Sequence, residues 1–250
     1  MIELKNVSVG YGKKNILNDI SFSVEKGKLT SVIGVNGCGK STLLKAILGI
    51  QPLSAGNITI DNVSIKNLSR KEIAQKVAYL SQGKKTPNMT VEQMVLHGRF
   101  PHLNYPRHYK TKDYEIAFSA MQQVKITEYA HRPLHTLSGG MIQNVYIAMV
   151  LAQDTDYIIL DEPTTYLDIS HQIELMKTLR KLTEIGKGII IVMHDLPLAM
   201  TFSDKIILLN EGTIVANEEP KTLCEKKIIN AVFGVGIEYS QDYNSYIYKY

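Results

Sequence analysis

Four short stretches read as strands buried on both faces: Leu29 to Ile33, Val77 to Ser81, Tyr157 to Leu160 and Gly188 to Met193. Runs of this length without alternation suit a parallel sheet covered by helices on each side. Helical spacing follows the first of them at Leu43, Leu44, Ile47 and Leu48, and reappears at Val145, Ala148, Met149 and Ala152. Thr90-Val91-Glu92-Gln93 has the form of a capping box and opens an apolar face at Met94 and Val95. Further amphipathic helices are expected from Thr111 to Val124, from Asp168 to Ile185 and from Thr222 to Phe233. Strand patterns at residues 2–11, 20–25 and 57–62 predict a separate antiparallel sheet, and Lys205–Leu209 with Thr213–Ala216 a hairpin across Asn210-Glu211-Gly212. The segment from Tyr239 to Tyr250 carries five tyrosines, and the alternation of Tyr246 and Tyr248 predicts an edge strand.

The expected architecture is therefore α/β. A mainly parallel sheet flanked by helices is built from residues 1–82 and 155–250, with an N-terminal antiparallel β subdomain. Residues 83–154 form an inserted helical subdomain, all within one domain spanning 1–250. At 250 residues, 44% hydrophobic and 21% charged, the chain can bury a large core. A net charge of +4 is too mild to point to nucleic acid. The longest apolar run, Ile189 to Met193, has strand length, far below the ~18 residues of a membrane span. No signal peptide is expected ahead of the first strand, and two cysteines build no disulfide framework, which suits a reducing, cytoplasmic setting.

The first buried strand runs into Gly34-Val35-Asn36-Gly37-Cys38-Gly39-Lys40-Ser41-Thr42 and then a helix. Strand, glycine-rich loop and helix are the context of a phosphate-binding P-loop. Glycines let successive N–H groups turn inward, and the helix N-terminus adds its dipole. Lys40 supplies a cation for the β- and γ-phosphates of ATP, and Ser41 a hydroxyl for Mg²⁺. The expected core is thus that of a P-loop NTPase. The same dipoles and Lys40 could draw Cys38 toward a thiolate, but the preferred reading is a small filler at a site that accepts Ala or Ser.

The strand Tyr157–Leu160 ends in Asp161-Glu162. Side chains at the C-terminal ends of parallel strands face the ligand crevice. Asp161 is placed to hold Mg²⁺, directly or through water, and Glu162 to orient or deprotonate an attacking water. The strand Gly188–Met193 delivers His194 to the γ-phosphate or to a simple cap at the strand end, and Val77–Ser81 delivers Gln82 to solvent or ligand.

Leu137-Ser138-Gly139-Gly140 opens the helix of the last stripe with a hydroxyl and unblocked amides, chemistry suited to a second anion. One chain already has a complete cradle at 34–42, so the second site is expected to serve the nucleotide of another copy. Two chains packed head-to-tail then sandwich two ATP molecules.

The P-loop, LSGG-x-x-Q, ILDEP and MHD, in this order and spacing over essentially the whole chain, resemble the ATP-binding subunit of an ABC transporter. That resemblance implies roles residue by residue. Tyr11, in VSVGYG, stacks on adenine. Gln82 approaches Mg²⁺ and the attacking water and communicates with a membrane permease subunit. Ser138, Gly139 and Gly140 cap the partner copy's γ-phosphate, Asp168 in TTYLD lies at the dimer seam, and His194 is the switch histidine. The sequence departs from the pattern at Met141 (usually Gln or Glu), Asn144 (usually Arg) and Thr165 (often Ser).

His97-Gly98-Arg99-Phe100-Pro101-His102 and Leu167-Asp168-Ile169-Ser170-His171-Gln172 resemble the subfamily that imports ferric siderophores, haem and cobalamin. The implied protein is an ATPase on the cytoplasmic face of the membrane, held there by permease subunits and supplied by a substrate-binding lipoprotein. Ferric siderophore is the expected cargo. Alternatives are cobalamin or haem import, a non-transport ABC ATPase acting on DNA or ribosomes, and a module that binds ATP without cleaving it. A docking groove for a permease helix is expected near Gln82, lined by Pro87, Met89, Val91, Arg99 and Phe100.

Overall fold

A computed structural model describes every residue except Lys13, Lys84, Lys85, Tyr166 and Tyr250. Its centre is a six-stranded sheet, ordered Thr213–Glu218, Lys205–Asn210, Leu29–Ile33, Gly188–Val192, Tyr157–Asp161 and Val77–Leu80. All neighbours are parallel except the outermost pair, the expected hairpin, in which Thr213 faces Asn210. Glu211 and Gly212 both have positive φ, 45° and 75°, the twist that suits a two-residue hairpin turn.

Alternate residues of these strands enter two different cores. Val32, Ile190, Val192, Tyr157 and Ile159 pack with Leu43, Leu44 and Ile47 of the helix Lys40–Ile47 and with the antiparallel sheet. Leu29, Ile33, Ile189, Ile191, Ile158 and Leu160 pack with the helices Gly139–Ala152, Ile169–Glu184 and Leu196–Phe202. Burial on both faces explains the unbroken apolar strands. The antiparallel sheet has the order Lys14–Val24, Ile2–Tyr11, Leu53–Ile60, Val63–Ser64, and it carries Tyr11 to its end.

In the helical region, Val91–Leu96 begins with the expected capping box: Gln93 N–H donates to Thr90 Oγ1 at 3.3 Å, and Thr90 N–H to Gln93 Oε1 at 2.9 Å. The helix Thr111–Gln123 also lies where periodicity places it. The helix Gly139–Ala152 belongs to two cores at once. Tyr146, Ile147 and Val150 join the core of the sheet, whereas Val145, Ala148 and Ala152 join that of the helical region. No helix among the described residues is long and apolar enough to cross a membrane.

Two expectations are corrected. The region 222–233 is two short helices, Pro220–Glu225 and Ile228–Phe233, because Lys227 between them adopts a left-handed φ of 51°. The tyrosine-rich segment holds the expected edge strand, Ser245–Lys249, in a two-stranded sheet separate from the main one. Gly236–Ser240 and Ser245–Lys249 pair only with each other, and Tyr246 N–H donates to Thr201 Oγ1 of the helix Leu196–Phe202 at 3.0 Å; Tyr250 lies outside the described residues.

The second corrected expectation concerns the docking groove, because HGRFPH turns inward. It forms a 3₁₀ segment, His97–His102, clamped on the C-terminal end of the helix Gly139–Ala152. A Cβ on Gly98 would stand 2.1 Å from the Met149 carbonyl oxygen, so only glycine permits this approach. Arg99 is 6% exposed; its Nε donates to Asp113 Oδ1 at 3.0 Å and its Nη1 to the Ala152 carbonyl at 2.8 Å. His102 Nε2 lies 2.8 Å from the Gln153 carbonyl. Arg99 and the fully buried Val91 therefore line no groove, while Phe100 remains 44% exposed.

Burial pushes the Asp113 carboxyl up, but the Lys110 N–H and Arg99 outweigh it and hold it below the usual 3.8. The stabilisation this gives is complete above the ordinary aspartate value and is lost as pH falls through the depressed one. Arg99→Met strands a buried carboxylate and should cost about 3–5 kcal/mol in urea unfolding at pH 7. Asp113→Leu added to it should restore most of that loss.

Candidate functional site: a nucleotide cradle at the strand ends

The strand Leu29–Ile33 is wholly buried, so its first freedom to turn comes at Gly34. The loop closes on the helix Lys40–Ile47 through Gly39, whose φ of 108° excludes a side chain and where a Cβ would meet Leu17 Cδ2 at 2.6 Å. Lys40 is 6% exposed, and its Nζ donates to the carbonyls of Gly34 (2.8 Å) and Val35 (3.1 Å). An ammonium held by two neutral carbonyls keeps its full charge for an incoming anion. An open cavity of about 320 Å³ gathers Tyr11, Asn36, Gly37, Gly39, Lys40, Ser41, Thr42 and Glu162. Tyr11 is half-exposed at its mouth.

Cys38 is the exception. It is 4% exposed, packed beneath the loop rather than facing the cavity. Burial pushes its thiol up and outweighs the pull of Lys40. Its burial agrees with the preferred small-filler reading.

Asp161 is the last residue of its strand and only 4% exposed. Burial pushes its carboxyl up and Glu162 adds to this, against hydrogen bonds from Ser41 and Tyr79 and the charge of Lys40. Its Oδ1 has no hydrogen-bond partner. A buried, unpaired carboxylate oxygen beside a serine hydroxyl matches the oxygen donors that a hard divalent cation takes alongside phosphates and water. The described residues hold no group of three His, Cys, Asp or Glu side chains that would bind a metal by itself. Mg²⁺ therefore fits here only as a companion of the nucleotide.

Glu162 leaves the strand with φ of 50°, in the left-handed region, which swings its side chain toward two other strand ends. Gln82 Nε2 donates to Oε2 at 2.6 Å, and the His194 ring N–H to Oε1 at 2.6 Å. Three residues expected from three separate strands thus meet at one carboxylate.

Ser138 caps the helix Gly139–Ala152, its Oγ accepting from Met141 N–H at 3.3 Å. Neither Ser138, Gly139 nor Gly140 lines the phosphate cavity. Gly139 instead borders a second cavity of about 210 Å³ shared with Gln82, Asp161 and Glu162. A Cβ on Gly139 would meet nothing within 4 Å, and on Gly140 only Leu167 Cδ2 at 3.7 Å. Asp168 caps the helix Ile169–Glu184. The His171 N–H, the Ser170 hydroxyl and the His171 ring bring its carboxyl down to about 2.

Sequence reasoning gave no role to two glutamines that hold the loop after Glu162. Gln143 Nε2 donates to the Pro163 carbonyl at 2.6 Å, and Gln172 Nε2 to the carbonyls of Leu167 (3.0 Å) and Thr164 (3.3 Å). A lone glutamine carries no spacing signal. Only the packing of its helix shows which carbonyl it meets.

Comparison with known proteins agrees with this geometry. Residues 17–165 match the ABC transporter family. The petrobactin import ATP-binding protein of Bacillus anthracis is 40% identical over 96% of this chain and 89% of its own length. The iron(3+)-hydroxamate import ATP-binding protein of Bacillus subtilis is 39% identical over 96% and 90%. Among solved structures, a metal-chelate type ABC transporter in an inward-facing conformation superposes with a TM-score of 0.85 at 26% identity, covering 100% of this chain and 97% of its own. A dimeric bacterial ABC transporter cassette gives 0.76 at 28% identity, covering 88% and 99%. With a P-loop, a held carboxylate and near full-length relatives, this chain belongs to the ABC transporter family as an ATP-binding subunit whose activity is ATP hydrolysis.

Proposed function

We propose that this chain powers import of a ferric siderophore or a related iron chelate, working as a dimer that encloses two ATP molecules. The observation that carries the dimer is the unneeded glycine pair: nothing in this chain demands Gly139 or Gly140, and neither lines the phosphate cavity. A flat, open helix start suits close approach by a phosphate belonging to a second copy. The cargo rests on the two import relatives, whose names specify petrobactin and iron(3+)-hydroxamate.

In this reading Tyr11 stacks on adenine. The amides of Asn36, Gly37, Cys38, Gly39 and Thr42 surround the phosphates, and Lys40 exchanges its two carbonyl partners for the β- and γ-phosphates. Ser41, Asp161 and Gln82 hold Mg²⁺, which offsets phosphate charge as it develops. Glu162 takes the attacking water, oriented by Gln82 on one oxygen and His194 on the other. Ser138, Gly139 and Gly140 close the partner copy's γ-phosphate, and Asp168 lies at the seam. The chain sits on the cytoplasmic face of the membrane through two permease subunits, with a substrate-binding lipoprotein on the far side. Pro87, Met89 and Phe100 are the docking residues that remain accessible near Gln82. The two import relatives argue against the DNA and ribosome alternatives, and Glu162 against a module that never cleaves ATP.

Glu162→Gln should lower phosphate release about a hundredfold or more while ATP binding persists. The variant should elute as a dimer with ATP and Mg²⁺, and a monomer there would overturn the sandwich. A Lys40→Ala chain mixed with a Ser138→Arg chain should recover one working centre of two, although each alone is inactive; an inert mixture of proven heterodimers would refute shared sites. Cells lacking the chain should lose uptake of ⁵⁵Fe-siderophore while retaining cobalamin and haem uptake, and the reverse result would reassign the cargo.

A further inference from the structure

Glu162 stands in a backbone conformation that its neighbours must enforce. Its φ of 50° is left-handed, and it precedes Pro163, whose ring favours extended backbone in the residue before it. Such a geometry persists only where the surroundings over-determine it. The turn that follows does not supply that hold by itself. Thr165 N–H reaches back to the Glu162 carbonyl at 3.3 Å, long for a backbone bond.

Two glutamines from two helices take the next carbonyls of the turn. Gln172 Nε2 donates to the Thr164 carbonyl at 3.3 Å, but that oxygen also accepts from Leu167 N–H at 3.1 Å, so it keeps a donor without the glutamine. Gln143 Nε2 donates to the Pro163 carbonyl at 2.6 Å, the shortest of these bonds and one residue from Glu162. A planar peptide and a ring-fixed φ make Glu162 Cα, the proline ring and the Pro163 carbonyl carbon one stiff piece. Pinning that carbonyl therefore pins the backbone that carries the Glu162 side chain. Gln143 also borders the cavity it shares with Gln82, Asp161 and Glu162, so it stands on the side of the helix that faces the reacting groups. We infer that Gln143 is a positioning residue for hydrolysis: from the helix Gly139–Ala152 it holds the Pro163 carbonyl and so keeps Glu162 in the turn where its carboxylate meets Gln82 and His194. The inference rests on the reading that Glu162 takes the attacking water.

The test follows phosphate release by the full chain with Mg²⁺ and ATP, beside binding of a fluorescent ATP analogue. Gln143→Met should lower kcat about ten- to a hundredfold while KM and analogue binding stay within about twofold of the parent. Gln143→Glu keeps the shape of the side chain without its donor and should lose as much, so a Gln143→Met chain that fails to fold leaves the outcome readable. Gln172→Met should lose less, because the Thr164 carbonyl keeps Leu167 N–H. Added to Glu162→Gln, Gln143→Met should lower the residual rate by less than about twofold, since the group it positions is already gone. A folded Gln143 variant with parental kcat overturns the inference. So does a fully multiplicative loss in the double variant, which means action by another route. An equal loss in Gln172→Met assigns the effect to a loosened loop and overturns it as well. Unchanged phosphate release in Glu162→Gln overturns the reading of Glu162 together with the inference.

Discussion

A strand covered on both faces has no place for an acid, an amide or an imidazole until it ends. Four neighbouring parallel strands of this protein obey that constraint, with alternate residues consumed by one core or the other. Their polar chemistry is displaced to a single rim, where Asp161 ends its strand and Glu162, Gln82 and His194 come just after the strand ends. Parallel pairing sets these ends side by side, and the left-handed turn at Glu162 brings its carboxylate within 2.6 Å of both Gln82 and His194. The cradle, the acids and the position of His194 are consequences of how the hydrophobic layers close.

The helical region is joined to this rim more tightly than an inserted lobe would be. Its last helix is apolar nearly all round because it is claimed by two cores. At its start Gln143 reaches the carbonyl of Pro163, one residue beyond Glu162. At its far end the HGRFPH segment grips Met149, Ala152 and Gln153. The loop between Glu162 and Asp168 is spanned from the other side by Gln172.

Most of the architecture was legible because apolar runs and helical spacing report burial directly. Lys40, Asp161 and Glu162 were legible because each follows a buried strand. What escaped was whatever depends on where a side chain turns in space. Arg99 looked like a surface anchor, yet its pairing with Asp113 and a helix-end carbonyl appears only once Gly98 admits the helix. The single helix expected over 222–233 broke at one left-handed lysine, which no periodicity reveals.

The grip of HGRFPH has a mechanical consequence. The helix Gly139–Ala152 has 14 residues, so about 20 Å of stiff backbone separates the clamp at Ala152 from the cap at Ser138. A rod seized at one end cannot absorb a sideways push by bending locally; it pivots. A displacement of Phe100, which rides on the clamp at the surface, would be carried along that shaft toward the amides at its tip, with Gln143 as a lateral linkage to the backbone beside Glu162. The same rigidity runs in reverse, so force applied at the tip returns to the surface as leverage.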